Sequence, residues 1–477
     1  MTPAPSQAGG VAEATAGRSR AATEPTRSLA RFVSGLRPGD VPSPVRAVLS
    51  KAVLDAVGCG LHGLTLPWGT VMRDFAAEQG GPAQATLWRS GGKQVSAANA
   101  ALSMGTAIHG FELDDHHRAK LHASAAVLPA ALALGEHRRV DGATLLAALA
   151  AGYETMIRVS LGANPSSSRM RGWHLTGTCG TFGAAAAASV ILGLDAETTA
   201  SALGLAGTQS AGLWAFNADG AMSKRLHPGR AAQSGVMAAL LAARGFEGPR
   251  YILEAPDGGF LAATSDDPRP EEITAALGSE WRTEKICFKR HSCCGSNHAC
   301  IDAALLAMED GRLAADDVAE VVVGVSRVVE RQTGFEYAPS TVLNAQMSVR
   351  YDVAVAMIDG EAMLDQFTPS RIRDPRVLDL VSRVRVVVDP DMDAVYPRLY
   401  AGVVTLVGRD GRKLSRRVDY PKGMPESPMD LADVERKFRS LCCGFLSREA
   451  ADELVAALGR VFELPDVSGV CRRLGAV

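Results

Sequence analysis

Aromatic residues are scarce in this chain of 477 residues, because Phe, Trp and Tyr together make up only 5% of it. No stretch of 18 or more apolar residues is free of both charged residues and helix breakers, so no membrane span is predicted. Fifty Lys and Arg residues nearly balance 52 Asp and Glu residues, which argues against broad binding to nucleic acid or to an anionic membrane. Since 47% of the residues are hydrophobic, we expect a folded, soluble protein whose cationic residues act locally.

Several catalytic signatures are also missing. The sequence contains no phosphate-binding G-x-x-x-x-G-K-[ST], no nucleophile elbow G-x-S-x-G and no C-x-x-C. The nine cysteines are odd in number and include two adjacent pairs, which does not suggest a disulfide framework. Reduced thiols are typical of the cytoplasm, and we predict that location. Without C-x-x-C spacing, the stretch 287–300 is not expected to hold zinc or an iron–sulfur cluster, and no metal is predicted.

Composition divides the first half of the chain into two parts. Residues 1–25 are rich in Ala, Ser, Thr, Pro and Gly and lack the apolar centre of a signal peptide, so they are interpreted as a disordered tail. Residues 26–270 contain Ala-, Leu- and Gly-rich stretches of helical length with broad apolar faces. They predict the first part of a large all-helical domain.

The second half is mixed. A charged, Pro-containing stretch near residue 270 precedes three Val-rich runs, 318–329, 382–390 and 402–420, that alternate as strands do. Asp410-Gly411 marks a hairpin turn, and helical patterns lie at 296–309 and 343–359. We therefore predict a smaller α+β domain over 271–420. Residues 421–477 are helical again and are expected to return to the helical domain, so the fold class is mainly α.

Four segments place polar residues at the start of an Ala-rich helix: 111–130, 172–188, 222–232 and 288–304. Free N–H groups and the helix dipole attract anions to such positions, and Lys, Arg and His add charge and donors. The four segments together predict a site for a ligand with several carboxylates. Histidine can move a proton beside a carboxylate at neutral pH, and the neighbouring acidic residues Glu112, Asp114 and Asp115 could tune it. A solvated acidic turn is an equally good interpretation of Asp114 and Asp115. The candidate residues are Glu112, His116, His122, His174, Lys224, His227, Arg230 and Lys289.

At these segments the sequence resembles the MmgE/PrpD family, which includes 2-methylcitrate dehydratase, cis-aconitate decarboxylase and iminodisuccinate epimerase. The resemblance runs from about residue 28 to 465. Its marks are ELDDHH with LHASAAVLPAALALGE, GWHLTGTCGTFGAAAAA, KRLHPGRAAQSG, GFEGPRYILEAPDGGF and FKRHSCCGSNHACIDA. The resemblance implies a helical domain with an α+β lid, a homodimer, and catalysis in a cleft between the domains without metal or organic cofactor.

Carried over residue by residue, the resemblance implies His122, His174, Lys224, Lys289 and Tyr351 as catalytic groups. His227 and Arg230 lie in a matching loop and are taken as substrate-binding residues. The sequence departs from the pattern twice, because Glu112 stands where decarboxylase-like members carry Asp and His116 stands where they carry Thr. These departures are expected to reshape the pocket, and they argue against cis-aconitate decarboxylation.

The predicted activity is dehydration of a 2-methylcitrate-like hydroxy acid. Lys224 and Lys289 are expected to hold carboxylates, while His122 or His174 removes the proton and the other histidine, or Tyr351, protonates the leaving hydroxyl. Epimerisation of a dicarboxylate such as iminodisuccinate and cis-aconitate-type decarboxylation are alternatives. A further alternative is a non-catalytic helical binding protein.

Overall fold

The computed structural model describes residues 24–477, and the statements below concern this part of the chain. The predicted disordered tail, 1–25, lies outside the described residues except for Glu24 and Pro25. Pro25 is the first residue of a helix, a position where its fixed φ and missing N–H cost nothing. The α-helices up to residue 274 are Pro25–Gly35, Ser43–Gly63, Pro67–Gln79, Ala97–Ile108, Ser124–Arg138, Gly142–Gly162, Pro165–Met170, Leu175–Leu192, Ala196–Gly207, Ser223–Ala242, Phe260–Thr264 and Glu271–Thr274.

The helix Leu175–Leu192 lies at the centre of the helical domain and explains its small-residue composition. A Cβ atom on Gly183 would lie 2.8 Å from the carbonyl oxygen of Gly152 and 2.7 Å from the Cβ of Met156, so glycine permits close packing against the helix Gly142–Gly162. By length and composition Leu175–Leu192 could cross a membrane, but 89% of it is buried within the protein. Its apolar character is that of a core helix.

One G-x-G-x-x-G pattern, at residues 58–63, has no role in dinucleotide binding. That role requires a turn between a strand and a helix. Here the six residues form the last part of the helix Ser43–Gly63, where a Cβ on Gly60 would lie 2.5 Å from the ring of Trp88. These glycines therefore serve helix packing.

The lid follows the helical domain and is built on a four-stranded sheet. In spatial order its strands are Val384–Val388, Val318–Val325, Gly402–Gly408 and Lys413–Val418, with the first pair parallel and the others antiparallel. Gly411, at φ 85°, makes the turn of the predicted hairpin. The α-helices of the lid are His298–Gly311, Arg327–Thr333, Val342–Gln346, Val349–Asp359, Pro375–Ser382 and Pro390–Val395.

Three further helices, Leu431–Cys442, Arg448–Gly459 and Ser468–Ala476, end the chain. Val434, Phe438 and Leu474 are buried in the same hydrophobic core as the helices of the first half of the chain. A short ribbon of Ala85–Thr86 and Gln94–Val95 is a small departure from an all-helical domain. The predicted fold class, mainly α with a smaller α+β part, is confirmed. The nine cysteines are all unpaired.

Candidate active site

A cavity of about 80 Å³ lies between the helical domain and the lid. Charged, imidazole and aromatic side chains from widely separated parts of the chain line it. The lining residues are Glu112, His116, His117, Lys120, Leu121, His122, Arg169, His174, Trp214, Lys224, Lys289, Cys294, Gly295, Ser296, Gln332, Met347 and Tyr400.

The irregular segment 109–123, between two helices of the helical domain, supplies much of the cavity wall. The backbones of His116 and Cys287 exchange two hydrogen bonds, of 2.9 and 2.8 Å, which fix the segment against the chain that leads into the lid. Glu112 and Lys120 have positive φ angles of 57° and 58°, which residues with a Cβ rarely adopt. Such conformations cost free energy and persist where the surroundings enforce them, commonly at functional sites.

A buried carboxylate bridges two buried lysines on one side of the cavity. Lys224 Nζ donates to Glu112 Oε1, and Lys289 Nζ donates to Glu112 Oε2 at 3.2 Å and to the Glu112 carbonyl oxygen at 2.9 Å. Burial would raise the pKa of Glu112, but the two ammonium groups hold it well below its usual range. Burial, opposed by Glu112 and reinforced by Lys289, lowers the pKa of Lys224. The three side chains form one compact ionic group, which we call the lysine–glutamate cluster.

A second group, the histidine–aspartate chain, begins at Lys224. Its ammonium lies 3.0 Å from Nε2 of His109, whose Nδ1 lies 2.7 Å from Asp114 Oδ2. Since Lys224 can only donate, His109 accepts at Nε2 and donates from Nδ1. The same Asp114 oxygen lies 3.3 Å from Nδ1 of His122, which lines the cavity. Burial would raise the pKa of Asp114, but His109 and His122 hold it well below its usual range.

Most histidines at the site are held neutral. Burial, reinforced by Lys224, lowers the pKa of His174 well below its usual value, and burial also lowers the pKa of His109 to about 3. His174 Nδ1 lies 2.9 Å from Nδ1 of His227, so one imidazole donates to the other. An imidazole whose pKa lies far below neutral pH resists protonation, so His109 and His174 act here as neutral hydrogen-bonding groups.

His109, Asp114 and His122 also place three potential metal-binding atoms within 4.8 Å of one another. These atoms already face each other in the histidine–aspartate chain, and the Lys224 ammonium adjoins His109. A divalent cation here would meet an existing positive charge and would have to break these contacts. The donor set fits proton transfer better than metal binding.

The structure brings together most of the residues singled out in the sequence. Glu112, His116, His122, His174, Lys224 and Lys289 all line the cavity. His174 directly precedes the helix Leu175–Leu192, as expected, whereas Lys224 lies inside the helix Ser223–Ala242 and not ahead of it. Lys224 and Lys289, which the sequence predicts to hold substrate carboxylates, both bind Glu112.

Three predicted residues do not line the cavity. Tyr351 is fully buried in the lid core, where its hydroxyl donates to the carbonyl oxygen of Gln366 at 2.5 Å, so it is not placed to protonate a ligand. Arg230 is exposed and donates to Gln233 at 2.7 Å, because its position on the helix points it away from the cavity. His227 reaches the site only through His174.

Five residues of the site were not predicted as site residues: His109, Asp114, Lys120, Arg169 and Tyr400. Asp114 was interpreted as a tuning group or an equally plausible solvated residue, and it is fully buried. Lys120 lies in the polar segment 111–130, which is the signal that could have identified it. Arg169 and Tyr400 belong to a short helix and to the lid, and no local pattern marks them.

Comparisons with known proteins agree with this architecture. The sequence profile of the MmgE/PrpD N-terminal domain matches residues 27–273, and that of the MmgE/PrpD C-terminal domain matches residues 291–459. A cis-aconitate decarboxylase-like protein, oryM, of Aspergillus oryzae is 32% identical over 468 residues, covering 93% of this chain and 95% of that protein. A cis-aconitate decarboxylase of Aspergillus terreus is 30% identical, covering 92% and 94%. The human cis-aconitate decarboxylase is 29% identical, covering 93% of each chain. With both domain profiles matched in order and relatives aligned over nearly their whole length, this chain belongs to the MmgE/PrpD family.

Proposed function

We propose that this protein is a cofactor-independent lyase that removes CO₂ from a small unsaturated polycarboxylic acid of the cis-aconitate type. The observation that carries the proposal is the convergence, in one cavity, of the lysine–glutamate cluster with His122 and its Asp114 partner. Because relatives that align over nearly the whole chain are named cis-aconitate decarboxylase or as similar to it, we favour decarboxylation over the dehydration expected from the sequence.

The reaction makes simple demands on the site. When a carboxylate leaves as CO₂, its bonding electron pair stays on carbon. In a β,γ-unsaturated acid the double bond shifts, and the electron pair is delivered to the carbon beside a remaining carboxylate, which then takes up a proton. The site must stabilise negative charge on that carboxylate and supply the proton. Neither task requires a metal or an organic cofactor.

His122 is assigned the proton transfer. Its Nδ1 faces Asp114, and this arrangement of an imidazole held by a buried carboxylate is that of a general acid–base group. Lys224 and Lys289 lie beside the same part of the cavity and stabilise the developing charge, while Glu112 holds both ammonium groups in place. His116 completes the wall next to Gly295.

The test is a direct assay of four acids, cis-aconitate, 2-methylcitrate, citrate and iminodisuccinate, in ordinary and in deuterated water. Decarboxylation predicts release of CO₂ from cis-aconitate and one carbon-bound deuterium in the product. His122→Asn should lower turnover at least about 100-fold. The exposed His137, which is remote from the cavity lining, provides the matched control His137→Gln with unchanged turnover.

Other outcomes assign other functions. Loss of water from 2-methylcitrate or citrate without CO₂ release would establish dehydration. This second candidate is favoured by one observation: Glu112 and His116, which depart from the decarboxylase-like pattern, both line the cavity. Deuterium exchange without loss of CO₂ or water would indicate epimerisation. Absence of any reaction, with retained binding, would support a non-catalytic binding protein.

We further propose a homodimer in the cytoplasm. Leu226, Met237 and Leu241 lie on one face of the helix Ser223–Ala242, and each is 38% exposed. An exposed apolar stripe of this kind is typical of a protein interface. Light scattering of the purified protein should give twice the chain mass, and Met237→Glu should lower it. A monomeric wild type would contradict the dimer.

A further inference from the structure

Two cationic side chains that line the cavity belong neither to the lysine–glutamate cluster nor to the histidine–aspartate chain. Lys120 donates from Nζ to the hydroxyl of Tyr396, and its ammonium lies 4.9 Å from the centre of that ring and 5.8 Å from the centre of the Tyr400 ring. The guanidinium of Arg169 lies 3.8 Å from the centre of the Trp214 ring. The face of Trp214 therefore holds Arg169 by cation–π contact, and the hydroxyl of Tyr396 holds Lys120.

These cations differ from Lys224 and Lys289 in their counter-charge. Among residues 24–477, no carboxylate lies within 4 Å of Lys120 or Arg169, whereas both cluster lysines contact Glu112. The buried Nε of Arg169 has no hydrogen-bond partner in this part of the chain. A buried N–H without a partner is costly, so this donor is suited to a ligand atom.

A charge count shows where an anion is attracted most strongly. Lys224 and Lys289 both contact Glu112, and Lys224 is linked to Asp114 through the neutral ring of His109. The charges of these two lysines and two carboxylates sum to zero. Lys120 and Arg169 add two positive charges with no neighbouring carboxylate. The uncompensated positive charge of the cavity therefore lies at Lys120 and Arg169, beside the rings of Tyr396, Tyr400 and Trp214.

The backbone conformation of Lys120 also supports a role for its ammonium group in binding an anion. Lys120 is held at φ 58°, in the left-handed region, and its N–H donates to the carbonyl oxygen of His117 at 2.9 Å in the tight turn that aims it at the cavity. A lysine on the surface of a loop has no need of this conformation. Its cost is offset where the ammonium must take one fixed position.

We propose that Lys120 and Arg169 form a second carboxylate subsite, which binds the substrate carboxylate farthest from the reacting carbon and restricts the enzyme to acids with at least two separated carboxylates. The inference rests on the proposed function, because it assumes that the reacting carbon lies near His122. Guanidinium and ammonium groups together bind a carboxylate through charge-assisted hydrogen bonds. Lys120 and Arg169 are thus specificity-determining residues rather than groups that take part in bond breaking.

The test measures binding separately from turnover. Isothermal titration of the full-length protein with malonate, succinate, glutarate and the uncharged diamide of succinate gives affinities for ligands that cannot react. Arg169→Gln and Lys120→Gln should each weaken the best dicarboxylate at least about tenfold and leave the uncharged diamide unchanged. Arg171, an exposed neighbour paired with Asp266, provides the control Arg171→Gln, which should change nothing.

Steady-state kinetics with the reacting acid supply the second readout. Both variants should raise KM while kcat stays within about threefold, since they remove binding and not proton transfer. Arg169→Lys should recover part of the affinity, which a merely structural role would not predict.

Two results would overturn the subsite. One is a wild type that binds dicarboxylates while both variants bind them equally well, which leaves the proposed function intact. The other is equal weakening of the uncharged diamide of succinate and of the dicarboxylates, which would show a general distortion of the cavity. A wild type that neither binds nor converts any polycarboxylate would overturn the subsite and the proposed function together.

Discussion

Replacing Glu112 by Gln should destabilise the protein strongly at neutral pH and much less at pH 9. The substitution keeps the size of the side chain but removes the one negative charge within 4 Å of Lys224 and Lys289 among the described residues. Their side chains are 3% and 1% exposed, so water cannot take over the role of the carboxylate. Removing one partner of a buried ion pair typically costs about 3–5 kcal/mol.

The ability of Lys224 to lose its proton sets an upper limit to this loss of stability. Without Glu112, Lys224 can escape its unfavourable charge by losing its proton on folding. Because a lysine has an ordinary pKa of about 10.4 and one pKa unit corresponds to about 1.4 kcal/mol, holding it neutral costs at most about 4.6 kcal/mol at pH 7 and about 1.9 kcal/mol at pH 9. In the variant, the pKa of Lys224 is lower in the folded state than in the unfolded state. The free energy of unfolding of the variant therefore increases as the pH rises. We therefore expect a loss of about 3–4.6 kcal/mol at pH 7 and below about 2 kcal/mol at pH 9.

Urea denaturation of wild type and variant at both pH values measures these differences. Glu426→Gln, which removes a partly exposed contact with Arg118, is the control and should cost less than about 1 kcal/mol. A polycarboxylate should stabilise Glu112→Gln more than it stabilises the wild type, because it restores negative charge beside the lysines. A loss below 1 kcal/mol at pH 7, or an equal loss at both pH values, would refute the ionic account of the cluster.

Three other predictions concern catalysis. Asp114→Asn should lower kcat at least about 100-fold in a stopped assay, because it removes the carboxylate that faces His109 and His122, and near-normal turnover would contradict that role. The wild-type kcat/KM should fall above about pH 8, because burial, reinforced by Arg169 and opposed by the nearby Cys294 thiol, lowers the pKa of Lys120 to about 8 and the ammonium that binds substrate loses its proton. Lys120 also lies beside Tyr396 and Tyr400. Because arginine keeps its charge at higher pH, Lys120→Arg should extend activity to higher pH. An unchanged pH dependence of kcat/KM would refute the role of Lys120 in binding substrate. Treatment with EDTA should leave turnover unchanged, and a loss restored by one specific metal would show instead that His109, Asp114 and His122 bind it.

The fold could be predicted to a large extent because its signals are local. Ala- and Gly-rich helices and Val-rich alternating strands follow from residue spacing, and the turn at Asp410-Gly411 follows from its dipeptide. The predicted helix over 343–359 is in fact two helices, Val342–Gln346 and Val349–Asp359. Ser348 ends the interruption as an N-cap, its hydroxyl accepting from the N–H of Tyr351. Such interruptions depend on single capping contacts, which periodicity does not show.

The site could be predicted only in part, because the sequence does not show which charged side chains contact one another in the folded protein. His122, His174 and the two lysines stand in recognisable segments, and each lines the cavity. The bridging role of Glu112 depends on its positive φ, which no sequence pattern near it demands. Tyr351 was misplaced because an aromatic residue at a matching position is compatible with either the cavity or the lid core. In the lid core its hydroxyl donates a hydrogen bond to the carbonyl oxygen of Gln366.

The separation of charge within the cavity has a consequence for how a substrate is oriented. With Asp114 included, the charges of Lys224, Lys289 and Glu112 sum to zero, so the two lysines can stabilise negative charge that develops during the reaction without holding a resting carboxylate strongly. Lys120 and Arg169 attract the carboxylate that does not react. A polycarboxylate would thus enter with its spectator carboxylate toward Lys120 and Arg169 and its reacting carbon toward His122. The substrate is then bound mainly through a carboxylate far from the bond that breaks. Lys224 and Lys289 stabilise the transition state more than the bound substrate, because negative charge develops beside them only during the reaction.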